Sequence, residues 1–158
     1  MTLRHSIGYD AIFFIALLAT ALALGAALAH ALELPNKINL AKDEYFVVQK
    51  AYRGWSQLSY LLVIQLLAML AVAALSRDEP PVLWPTIMAI VCLIAAQTVF
   101  WIFTYPANVV TDNWTAVPAQ WEDVRARWEY SHLAGAAFQV MAMSALIVAA
   151  LARARLPG

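Results

Sequence analysis

The stretch YSHLAGAAFQVMAMSALIVAAL, residues 130–151, carries no charged side chain and is long enough to cross a bilayer as one helix. A spanning helix needs roughly 20 predominantly apolar residues. Three other stretches meet the same criterion, at about 10–34, 55–75 and 82–105. Hydrophobic residues make up 63% of the chain and charged ones 13%, with a mean hydropathy of +0.69. That balance excludes an ordinary soluble domain and any disordered class. The four spans and their connections use up residues 1–158, so the chain reads as one membrane domain with the lipid bilayer as its first partner. Net charge is zero and no basic run offers a surface for nucleic acid. Cys92 is alone within the third span and forms no intrachain disulfide.

The first span also has features of an export signal, since Ala29-His30-Ala31 follows a basic start at Arg4. Its apolar stretch, residues 11–28, exceeds the roughly 7–15 residues of a signal core, and Asp10 sits where positive charge should lead in. It is therefore read as a retained helix.

The predicted fold is all-α, an integral membrane four-helix bundle. Leu34-Pro35 and Tyr105-Pro106 end the first and third spans, and a tight turn at 76–81 joins the second to the third. Asp43 and Glu44 suit a helix start well ahead of the second span, and Pro118, Glu122 and Asp123 suit one ahead of the fourth. Each long helix would hold roughly 35 residues, or ~50 Å. Both should project beyond a hydrocarbon core of ~30 Å on the same membrane face. Trp55-Ser56-Gln57-Leu58 echoes Tyr130-Ser131-His132-Leu133, a faint sign of two tandem hairpins. Tyr9 and Trp84 mark one interface, and Trp55, Tyr105 and Tyr130 the other. Trp114, Trp121 and Trp128 read as interfacial anchors, and His5 as a tail residue. The density of arginines in the short tails and turn places the termini in the cytoplasm of a multi-pass protein of the bacterial inner membrane.

Polar side chains crowd into the half of the spans nearest the two long loops. His30 and Glu33 end the first span, next to a small-residue stripe at Ala19, Ala23, Ala27 and Ala31 that permits close helix packing. Gln57 and Gln65 lie early in the second; Gln97, Trp101, Thr104 and Asn108 share a face of the third. Arg125, Glu129, His132, Ala136 and Gln139 do so on the fourth. Polar groups in hydrocarbon are costly, so a cluster of them is a functional-site hypothesis. Three readings stand side by side. One is a metal site of His30, Glu33, Glu129 and His132, since each helix pairs an imidazole and a carboxylate three residues apart. Another is a structural network in which Glu129 pairs with Arg125, and His132 with Gln57 or Glu33. The last is a ligand or chemical site without metal, with His132 or His30 as base or donor.

The stretch from Thr104 to Trp114 and from Trp121 to His132 resembles the anthrone-oxygenase-like family of small four-helix membrane proteins. The likeness rests on Pro106-x-Asn108 and then on Trp121, Arg125, Trp128 and His132, about a quarter of the chain. Members often carry arginine three residues after the histidine, where this chain has Gly135. The resemblance implies oxidation of a lipophilic polycyclic substrate by molecular oxygen. His132 would be the general base and His30 with Glu33 a second proton-handling or metal-binding group. Asn108 and Arg125 would stabilise the oxyanion. Gln57, Gln97, Trp101 and Tyr105 would bind the lipophile or a quinone-like cofactor. The alternative is a non-catalytic subunit packed against a larger membrane complex.

Overall fold

The computed structural model describes residues 7–156, which leaves Arg4 and His5 outside the described region. Helix α1 spans Ile7–Lys37, α3 Leu58–Leu75, α4 Pro80–Val99 and α6 Trp121–Ala154. The short helices α2, Lys42–Gln49, and α5, Tyr105–Val110, lie between them at the long-loop end. Among the described residues, four helices are long and apolar enough to cross a membrane. Large apolar side chains such as Phe14, Leu22, Leu67, Met88, Ile94 and Val148 stand exposed on their outer faces. A helical surface of that kind is stable only against lipid, so this is an all-α multi-pass membrane protein.

α1 packs on α3 and α6, and α4 packs on the same two helices. The spans thus close a ring in chain order, as short connections between antiparallel neighbours require. One core fills the half away from the long loops, built on Phe13, Met69, Val72, Leu93 and Leu146. Ala16, Ala89, Ala142 and Ala149 are fully buried within it, where the small side chains bring helix backbones close. Hydroxyls at this depth bond their own helix: Thr20 donates to the Ala16 carbonyl at 2.7 Å and Thr86 to that of Val82 at 2.8 Å. A second, aromatic core of Tyr45, Trp114 and Trp128 sits above the long-loop ends of the spans.

Three boundaries differ from the sequence reading. α1 runs through Pro35 to Lys37: the proline forfeits one ladder bond and crowds the carbonyl one turn back, and the ion pairs of Lys37 with Glu33 and Glu129 hold the last turn in place. The third span also continues through its proline. Phe100–Thr104 widens into a π turn just before Pro106, and α5 then carries the helix to Val110. The projecting second helix is broken: α2 gives way to two 3-10 turns, Lys50–Tyr52 and Trp55–Gln57, around Gly54 at φ 86°. The fourth helix is continuous for 34 residues as expected, starting at Trp121 rather than near Pro118.

Gly54 reverses the chain in a left-handed conformation that costs an L-residue about 1–2 kcal/mol. A Cβ there would meet nothing within 4 Å, so the penalty is one of backbone alone. Gly54→Val should therefore lower unfolding stability in detergent by about that amount, and Gly54→Asn by less. Equal thermal midpoints for wild type and Gly54→Val would contradict this geometry.

Candidate functional site

His30, on α1, and His132, on α6, meet face to face with ring centroids 4.0 Å apart and planes 18° from parallel. The α1 alanine stripe turns His30 inward, and it is 6% exposed. Its ring also contacts Tyr52 at 4.4 Å, Trp55 at 5.0 Å and Trp128 at 5.2 Å. Trp128 packs at 4.2 Å on His132 as well. Among the described residues, Nδ1 of His30 has no hydrogen-bond partner.

The imidazole pair forms part of the wall of a 640 Å³ cavity between the two cores. Tyr52, Trp55, Phe100, Trp101, Trp114 and Trp128 give it aromatic walls, while Gln97, Asn108 and Gln139 offer amides. The lining residues contributed by α1 and α6 are buried or half-buried. Those that are also exposed are Arg53, Gly54, Ser56, Ser59, Trp101 and Asn113. The mouth therefore lies between the start of α3 and the end of α4, at the level of the long-loop interface.

Beside the mouth, Asp112, Asn113 and Trp114 all have positive φ, at 46°, 53° and 65°. Left-handed backbone at three consecutive non-glycine residues is strained and persists only when its surroundings enforce it. Here Asn113 N–H donates to the Asn108 carbonyl at 2.7 Å, and Trp114 N–H to Thr111 Oγ1 at 3.1 Å. The strained turn delivers Asn113 and Trp114 to the cavity.

Behind the Tyr52–Trp128 wall lies a charged network that the sequence did not reveal. Lys37 is 3% exposed, and its Nζ donates to Tyr52 Oη at 2.5 Å. It stands 3.3 Å from both Glu33 Oε2 and Glu129 Oε1. The ammonium also lies over the Tyr52 and Trp128 rings, at 4.6 and 5.1 Å. Tyr52 donates to Glu33, and Tyr45 to Glu129 Oε1 at 2.9 Å. The available sequence signal was spacing: Glu33 and Lys37 continue the His30 face at steps of three and four. Reading Pro35 as a helix end concealed it.

This network corrects several expectations. Both carboxylates are engaged by Lys37 and tyrosines, so His30, Glu33, Glu129 and His132 do not assemble as a metal-ligand set. Among the described residues, no group of three His, Cys, Asp or Glu side chains is placed to hold a metal ion. Glu129 pairs with Lys37 instead of Arg125. Arg125 donates to the Leu40 carbonyl at 2.8 Å and lies 4.5 Å over the Trp121 ring, outside the cavity wall. It clamps the extramembrane layer and does not face a bound anion. Gln57 is exposed and off the cavity, because the break at Gly54 re-phases the start of α3. Tyr105 packs at a tilt against Trp101, with ring centroids 4.9 Å apart, and is 47% exposed, also outside the lining. Gln97, Trp101 and Asn108 do line the cavity, and Asn108 Oδ1 accepts from Trp128 Nε1 at 2.9 Å. Trp114 and Trp128 are 6% and 3% exposed, core residues rather than interfacial anchors.

No protein-family model, curated protein or solved structure matches this chain.

Removing one partner of a buried ion pair strands the other charge, at about 3–5 kcal/mol. Lys37→Met should therefore lower unfolding stability by about 3 kcal/mol, and adding Glu129→Gln should restore more than half. Thermal unfolding in detergent reads both, and a double variant no better than the single would refute the pairing. Tyr45 and Tyr52, in the connection between spans, both have hydroxyl pKa values raised above 10.0. Burial is the main cause in each; the charge and hydrogen bond of Glu129 add to it for Tyr45, and the Glu33 bond for Tyr52. A raised phenol contributes its stability in full below about pH 10 and loses it as pH rises beyond. Ultraviolet titration should find at least two tyrosines un-ionised above pH 10 until the protein unfolds, with the thermal midpoint falling over the same range. Ordinary titration of all the tyrosines would contradict their burial.

Proposed function

We propose that this membrane protein takes a lipophilic ring-bearing molecule of the phenol or quinone kind into its cavity. The imidazole pair then moves a proton at that molecule, in an oxidoreductase-like role. The observation that carries this reading is the stacked His30–His132 pair in the wall of an aromatic cavity at membrane depth. At 640 Å³ the cavity falls in the roughly 300–1,000 Å³ range of small-molecule sites. A mouth between α3 and α4 suits a solute arriving from the bilayer. Histidine is the side chain suited to giving and taking protons near neutrality, and Asn108 stands on the same lining to orient an oxygen.

The resemblance to anthrone oxygenases extends this to a reaction. A base removes a proton from the acidic ring carbon, and the resulting enolate gives its electrons to molecular oxygen. One oxygen atom becomes the new carbonyl and the other leaves as water. At Gly135, where that family often carries arginine, a Cβ would meet nothing within 4 Å, so the cavity stays open and uncharged there. This favours a neutral ligand.

Because tryptophans line the cavity, a bound quinone should quench their emission. Titration of the purified protein in mild detergent with 2-methyl-1,4-naphthoquinone should show saturable quenching. With anthrone in aerated buffer, His132→Ala and His30→Ala should each lose about 10²–10⁴-fold of the oxidation rate while still inserting and folding. Undiminished oxidation in both variants would remove the proton-transfer role. Absence of saturable quenching, with a larger membrane complex co-purifying, would favour the accessory-subunit reading.

A further inference from the structure

At the deep end of the cavity, Gln65 on α3 and Gln139 on α6 form a buried amide pair. Gln65 Nε2 donates to Gln139 Oε1 at 3.1 Å, with the residues 0% and 4% exposed. Gln139 lines the cavity, whereas Gln65 stands behind it. With its oxygen held by Gln65, Gln139 has its Nε2–H₂ group left to offer the cavity. Gln97, from α4, lines the same space. The pair is not an economical structural device. Among the described residues, Gln65 Oε1 has no partner, and an unsatisfied amide oxygen at full burial costs stability that two apolar side chains would avoid.

Position gives the pair a use. Gln139 follows His132 by seven residues, two helical turns, so both sit on one face of α6 about 10 Å apart along its axis. The imidazoles and Asn108 mark the outer end of the cavity and the amides its inner end. Resting on the binding role proposed above, we infer that Gln139, oriented by Gln65, is the specificity-determining donor for a carbonyl oxygen at the far end of the ligand. The ligand class is then an elongated ring system with a carbonyl oxygen at its inner end and, facing the imidazoles, either a second oxygen or an acidic ring carbon. Hydrocarbons of the same size, or phenols oxygenated at one end, match one half of the site.

The probes are 2-methyl-1,4-naphthoquinone, 1-naphthol and 2-methylnaphthalene, each titrated by quenching of tryptophan emission, with competition against the quinone for the weak quenchers. Wild type should bind the quinone at least tenfold more tightly than the hydrocarbon. Gln139→Leu should lose about tenfold in quinone affinity and leave hydrocarbon affinity within twofold, the scale of one hydrogen bond. Gln65→Leu should shift the same preference by several-fold, although Gln65 does not line the cavity. Gln139→Met, close in size and without a donor, separates hydrogen bonding from packing and should behave like Gln139→Leu toward the quinone. If wild type binds none of the three probes, the binding role itself fails. If wild type binds them and the quinone-to-hydrocarbon ratio is unchanged in Gln139→Leu, the inner donor is refuted while the cavity stands.

Discussion

Lys37 holds the long-loop end of this bundle together. It ends α1, yet its ammonium reaches Glu129 on α6, Glu33 one turn back on its own helix, and the hydroxyl of Tyr52 in the connection to α3. Three chain segments are thereby tied at one point, with Lys37 and Glu129 buried and Glu33 facing outward. Tyr45 completes the Glu129 side of the network. The indole of Trp128 and the phenol ring of Tyr52 lie against the charge and shield it from the cavity. Remove the ammonium, and two acids and the phenol of Tyr52 lose their common partner. The wall that positions His30 against His132 would lose its support with them.

The two ends of the bundle divide the work. In the half away from the long loops, alanine-rich faces pack closely and hydroxyls turn back on their own helices, which leaves little space there. Toward the long loops aromatic rings join the small residues on the helix faces, and the volume between them becomes the cavity. The π turn at Phe100–Thr104, the left-handed Gly54 and the strained turn at 112–114 all border that cavity. Backbone irregularity at membrane depth is tolerated where it is buried or lines a cavity, which is where it occurs here.

The candidate site was partly legible before any coordinates. His30 beside its alanine stripe, and His132 on the face of Gln139, had to point inward, because an imidazole facing acyl chains would stay unsatisfied. Antiparallel connectivity then brought them to the same depth. Gln57 and Tyr105 were misplaced because helical periodicity was extended across segments whose phase changes, and Arg125 because the unbroken α6 carries it about 10 Å along its axis from His132, past the cavity. The break at Gly54 rotates the start of α3, and the π turn shifts the register of everything after Phe100. Lys37 was missed for a related reason: Pro35 reads as a terminator, and only the tertiary contact of Lys37 with Glu129 on α6 shows why the helix runs past it.

From composition and periodicity alone follow the membrane environment, the number of spans, their order and the end at which polar chemistry collects. Each depends on local quantities, the length of an apolar run and the cost of burying a polar group, that need no knowledge of neighbours. Tertiary structure alone decided which polar groups meet. Whether Glu129 faces Arg125 or Lys37, and whether the four-residue imidazole–carboxylate set becomes a metal site or an ion-pair network beside stacked rings, depends on helix rotations of a fraction of a turn. Those rotations are set by side-chain packing between segments far apart in the chain, and local pattern carries no record of them.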